Sequence, residues 1–80
     1  MTFDDNDAQL YNDRGVVYDS LGFHKEALKD YDKAIELNPE LAPAYCNKGI
    51  LYCVLGKFKK AVKLLTKAIE LQENFFPGNS

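Results

Sequence analysis

Residues 8–41 and 42–75 align without a gap, and 14 of the 34 aligned pairs are identical. The pentapeptide KAIEL stands at Lys33–Leu37 and again at Lys67–Leu71. A period of about 20 to 50 residues marks a repeat architecture, in which each period forms one supersecondary unit that buries its apolar face by stacking on its neighbour. The duplication therefore restricts this chain to a short solenoid before any single element is assigned.

Each copy divides into two helical patterns. Tyr11, Gly15, Tyr18 and Gly22 recur as Tyr45, Gly49, Tyr52 and Gly56, at spacings of four, three and four that line one helix face. Ala27, Tyr31, Ala34 and Leu37 recur as Ala61, Leu65, Ala68 and Leu71, again at helical spacing. A glycine inside a helix costs about 1 kcal/mol relative to alanine. Gly15 and Gly49 are thus expected where a neighbouring helix passes close, with the alanines of the second pattern as that neighbour. Gly22 and Gly56 end the first pattern, where positive φ terminates a helix. Asp5, Asn6 and Asp7 offer N-cap oxygens, and Asn38-Pro39 stops the second helix. In the second copy Glu73 replaces the proline, so nothing enforces a stop there. The expected helices are 7–21, 24–37, 42–55 and 58–72. In the last of them Phe58, Val62, Leu65 and Ile69 are expected in the core, while Leu64, Leu71 and Phe75 form an additional apolar stripe. Leu64 has Asp30 as its counterpart in the first copy.

The 46% apolar and 28% charged content fits a globular chain. At 80 residues a single core supplies roughly 3 to 5 kcal/mol, so assembly or a ligand would matter to stability. No apolar run approaches the roughly 18 residues of a membrane-spanning helix, and the opening MTFDDND lacks the basic and apolar regions of a signal peptide. A cytoplasmic location is expected. The net charge of −2 conceals a dipole: residues 1–41 carry ten acidic and four basic side chains, residues 42–80 two and six. Such a chain could stack acidic end to basic end or present either pole to a partner. Cys46 and Cys53, if on one helix, stand about 10 Å apart, beyond disulfide reach, and are expected as free thiols.

These residues resemble the tetratricopeptide repeat, a 34-residue helix-turn-helix unit that stacks into a right-handed superhelix. The family's pattern of large and small residues is matched by Tyr11, Gly15, Tyr18, Ala27, Tyr31, Ala34 and Pro39, and by Tyr45, Gly49, Tyr52, Ala61, Leu65 and Ala68. The resemblance covers about 68 of the 80 residues and implies an all-α fold of two tandem units, four antiparallel helices in a short right-handed solenoid. It divides the chain into an N-terminal cap segment at 1–7, units at 8–41 and 42–75, and a tail at 76–80. Arg14 and Lys48 stand where the family often has leucine, and their aliphatic stems could cover the core while the charge reaches water.

The resemblance further implies a non-catalytic scaffold that binds a peptide or partner protein in the concave groove lined by the first helix of each unit. The family's groove positions fall on Gln9, Asn12, Val16, Asp19 and Ser20, then on Pro43, Cys46, Ile50, Cys53 and Val54, with Asn47 beside them. The first set is polar with one carboxylate and the second almost wholly apolar, so an apolar or basic segment is the expected ligand. The family's carboxylate clamp for chaperone C-termini is not expected, because only Asn47 among its residues is matched. The stripe of Leu64, Leu71 and Phe75 suggests an interface, filled by a second copy of the chain, by Phe75 and Phe76 folding back, or by a further unit of a longer array.

Other chemistry finds little support. His24 is the sole histidine and falls at a helix turn. The two cysteines lack further metal ligands at suitable spacing, and the glycines do not form a phosphate-binding loop. No enzyme activity, metal or cofactor is expected. The alternative reading is that Lys57, Lys59, Lys60, Lys63 and Lys67 make the last helix a basic amphipathic segment for RNA or phospholipid. The acidic whole chain and its few aromatics disfavour nucleic acid and membrane as partners.

Overall fold

The computed structural model describes residues 7–75, with side chains described as far as Glu73. Four helices follow one another: α1 (Ala8–Ser20), α2 (His24–Leu37), α3 (Ala42–Val54) and α4 (Phe58–Phe75). Helices α1 and α2 pack as one hairpin and α3 and α4 as a second, and α3 also packs against both α2 and α1. The hairpins are the two sequence copies, stacked side by side.

The helix ends follow from local chemistry. Asp7 caps α1, its Oδ1 accepting from the backbone N–H of Gln9 at 3.0 Å and of Leu10 at 3.4 Å. Asp5 and Asn6, the other candidate caps, lie outside the described residues, as do the segments 1–6 and 76–80. Both hairpin turns have the same form. Gly22 and Gly56 adopt φ of 87° and 79°, and the amides two residues past the last full turn, Phe23 and Lys57, donate to the Tyr18 and Tyr52 carbonyls at 2.8 Å. Only glycine enters that backbone region without strain. Asn38, extended at φ −143°, ends α2; its carbonyl accepts from Leu41 at 3.1 Å and its Oδ1 from Glu40 at 3.1 Å. In α4 the matching residue is Gln72 and no proline follows, so the helix runs three residues beyond its expected end at 72.

The core is small. Ala27, Tyr31 and Leu51 form its buried centre, with Tyr18 and Leu28 against it. Ala34, Ala44, Ala61 and Ala68 are buried around them. A β-carbon on Gly15 would lie 2.6 Å from Tyr31 Cε1, and one on Gly49 would lie 2.9 Å from Leu65 Cγ. The close neighbours of these glycines are thus the large residues of the second helix, rather than the alanines expected; the Ala27 and Ala61 carbonyl oxygens stand farther off, at 3.3 Å.

One expectation is overturned. Phe58, Val62 and Ile69 do not enter the core but are 64%, 62% and 56% exposed, and Leu65 is half-buried. The reason is their place in the stack. The counterparts of Val62 and Ile69, Leu28 and Ile35 on α2, are half-buried, Leu28 against the cluster that holds Leu51 of α3. Among the described residues no helix follows α4 to cover the same face.

Candidate functional site

Helices α1 and α3 lie next to each other, each carrying one stripe of the expected groove. Spacings of three and four place Gln9, Asn12, Val16, Asp19 and Ser20 along α1, and Cys46, Ile50, Cys53 and Val54 with Asn47 along α3. Asn47 Nδ2 donates to Asn12 Oδ1 at 3.1 Å, fixing the register of the two helices. Asn12 is only 3% exposed, so it is a strut beneath the surface rather than a ligand-facing group. A buried amide left without its partner costs about 1 to 3 kcal/mol, which gives this pair its structural weight.

The remaining groove residues differ in availability. Val16, Ile50, Cys53 and Val54 are exposed, as are Ser20 and Pro43, and Cys46 is half-buried. Both cysteines are free. Gln9 is exposed but its Nε2 donates to Asp13 Oδ1 at 2.9 Å. Asp19 is half-buried, with its Oδ1 3.3 Å from His24 Nδ1. It also faces Tyr31. Burial first, then the charge and hydrogen bond of Asp19 and the charge of Asp30, push the Tyr31 phenol up to about 12. The one carboxylate among the expected groove residues is therefore engaged by its own unit, and the exposed Val16, Ile50 and Val54 make the α1 and α3 stripes largely apolar.

A polar pair escaped sequence reasoning. Arg14 Nε and Nη2 donate to Asp30 Oδ2 and Oδ1, both at 2.8 Å, in a two-pronged contact that carries α1 onto α2. Asp30 is buried at 4% exposure. The hydrogen-bonded carboxylate raises the arginine pKa above its ordinary value against the opposing effect of burial, with the charges of Asp30, Tyr18 and Tyr11 adding to it. The guanidinium also lies 5.5 Å from the Tyr11 ring centre and 5.8 Å from that of Tyr18. Charged residues at 14 and 30, sixteen apart in one hairpin, were the available signal. Lys48, the counterpart of Arg14, pairs instead with Asp32 of α2 and so links the two units.

On α4, Leu64 and Leu71 are half-buried, and the side chain of Phe75 lies outside the described residues. Lys57, Lys59, Lys60, Lys63 and Lys67 are all exposed. Among the described residues no group of three histidine, cysteine or acidic side chains could hold a metal ion. No described helix is long and apolar enough to cross a membrane.

Comparison with known proteins agrees with this architecture. Residues 8–41 and 42–75 each match the tetratricopeptide repeat. The structure is similar to the crystal structure of MamA, with a TM-score of 0.80 and 39% sequence identity; the match covers 84% of this chain and 39% of that one. The chain thus spans well under half the length of this relative. Tetratricopeptide repeats are protein-interaction modules and are typically non-catalytic scaffolds. With both copies matched over their full 34 residues, the chain belongs to the tetratricopeptide repeat family.

Proposed function

We propose that the paired faces of α1 and α3 bind an apolar or basic segment of a partner protein. The observation that carries this reading is the exposure of Val16, Ile50 and Val54 on adjacent helices whose register is held by the buried Asn12–Asn47 contact. Apolar groups on a rigid frame present a surface that a partner can dehydrate without ordering the frame first. Ser20 and Pro43 border that surface, and Cys46 and Cys53 contribute thiols to it.

A peptide array of apolar, basic and acidic segments tests the groove directly. The expected result is retention of apolar or basic peptides by the chain, reduced about tenfold or more by Ile50→Asp with an unchanged helical circular dichroism signal. Affinity that is unchanged in Ile50→Asp and Val54→Asp would remove the groove from consideration.

A second surface is the outer face of α4, for which we propose self-association. Phe58, Val62 and Ile69 are exposed there, while the half-buried Leu64 and Leu71, of the stripe that continues in sequence to Phe75, lie on the other flank of the buried Ala61 and Ala68. Three large apolar side chains on one helix face favour a protein cover. Binding of RNA or anionic vesicles through Lys60 and Lys63 is the competing use of α4, and its loss in a Lys60→Glu, Lys63→Glu variant is the observation that would favour it.

A further inference from the structure

The duplication lets each surface of the second unit be compared with its counterpart in the first, and one place does not match. Between α3 and α4 an open hollow is lined by Lys48, Tyr52, Lys60, Lys63 and Leu64. Lys48 Nζ lies 5.8 Å and Lys60 Nζ 5.6 Å from the centre of the Tyr52 ring. The counterparts in the first unit are Arg14, Tyr18, Glu26, Lys29 and Asp30. There the cation also stands over its tyrosine, at 5.8 Å, but Asp30 fills the space beside it and takes two hydrogen bonds from Arg14.

The charges follow from the substitutions between copies. In the first unit two cations face two carboxylates. In the second, Lys60 replaces Glu26 and Leu64 replaces Asp30, so three cations remain and none of these five positions supplies an acid. Asp32 on α2 pairs with Lys48, leaving Lys60 and Lys63 in excess. Like charges around a partly apolar hollow repel one another, and an incoming anion relieves that repulsion while gaining charge-assisted hydrogen bonds. Leu64, half-buried, gives the hollow an apolar floor.

We propose that this hollow binds a carboxylate side chain presented by an acidic segment of a partner protein, set over Leu64 and among the Lys48, Lys60 and Lys63 ammonium groups. In the first unit the cation that corresponds to Lys48, Arg14, already holds a carboxylate, that of Asp30. The second unit carries lysines rather than the arginine fork, and its tyrosine and leucine suit an aliphatic stem. This site uses none of the α1 and α3 groove residues and goes beyond the groove reading, since it takes ligands of the opposite charge.

The test is an amide-resolved NMR titration of the chain with a capped octapeptide alternating glutamate and alanine, and with the same peptide carrying glutamine for glutamate. Shifts are expected at Tyr52, Lys60, Lys63 and Leu64 with the glutamate peptide only, weakening as salt shortens the reach of the charges. Leu64→Asp restores the carboxylate of the first unit beside Lys48 and should weaken binding about tenfold or more. Lys60→Gln, at an exposed position, should weaken it about threefold or more with the fold intact, and alone decides the matter if Leu64→Asp does not fold. No binding at low salt, equal binding of the glutamine peptide, wild-type affinity in Lys60→Gln, or shifts confined to the groove would each overturn the proposal. So would inorganic phosphate, phosphatidylserine vesicles or an RNA oligonucleotide occupying the hollow at lower concentration than the peptide.

Discussion

Gly15 sets how closely α1 and α2 approach. With Tyr31 Cε1 at 2.6 Å from the place of a β-carbon and the ring buried on its other sides, Gly15→Ala should lower stability by about 1 to 3 kcal/mol despite its better helix propensity. The measurement is a reduced urea midpoint at unchanged slope. Gly49→Ala should cost less, because its neighbour Leu65 is half-buried and free to swing. Tyr31 carries a second expectation. Its phenol keeps its proton to about 12 in the fold but releases it near 10.0 when unfolded, so the unfolded state binds fewer protons between those values. The stability it supports is present below pH 10.0 and is lost as pH rises through about 12, by roughly 2 to 3 kcal/mol across the window. Urea unfolding of wild type and Tyr31→Phe through that range checks it, and parallel pH slopes for the two would refute it. The need for close approach at Gly15 was legible from its cost inside a helix, but which residue approached was not. The burial of Asn12 was equally hidden, since it depends on Asn47, 35 residues away.

Helices α2 and α4 repeat one pattern and bury it differently. KAIEL reads the same in both, yet Ile35 is half-buried and Ile69 exposed. Helical periodicity records which face of an element is apolar, and the neighbouring element decides whether that face is covered. This is why the four helices and their turns could be placed to within a few residues, whereas the core membership of Phe58, Val62 and Ile69 could not. Of the positions that the family resemblance proposes for a groove, Val16, Ile50 and Val54 are exposed, and the engagement of Asp19 by Tyr31 and His24 left no trace in the sequence. The two copies provide a matched pair for measurement. Leu28→Ala removes a side chain packed on Ala27, Tyr31 and Leu51 and should cost about 1 to 2 kcal/mol. Val62→Ala, at the same place in the other unit, should stay within about 0.5 kcal/mol at protein concentrations where the chain is monomeric. Equal losses at the two positions would mean that α4 is covered in solution even when dilute.

At the scale of the molecule, the two ends of the stack are related by the repeat itself. Leu51 of α3 is fully buried beside Ala27 and Tyr31 of α2, and its counterpart on α1 is the exposed Val17. Val62 on α4 is likewise the exposed counterpart of the half-buried Leu28. An α1 from one molecule set on α4 of another would therefore reproduce the α2 and α3 contact, adding one hairpin pair per molecule. Charge favours the same direction, since the acidic half of one chain would meet the basic half of the next. Such a head-to-tail contact does not close on itself, so its signature is mass that grows with concentration rather than a fixed dimer. Sedimentation over micromolar to millimolar protein should show that growth, accompanied by a melting temperature that rises with concentration. Val62→Asp with Ile69→Asp should abolish both, and Val17→Asp should do the same from the opposite end. Combining Val17→Asp chains with Val62→Asp, Ile69→Asp chains should restore heterodimers but no longer species, because each variant keeps one intact face. A mass that stays monomeric throughout, or a dimer insensitive to Val17→Asp, would rule out end-to-end stacking and leave the α4 face to a partner of another kind.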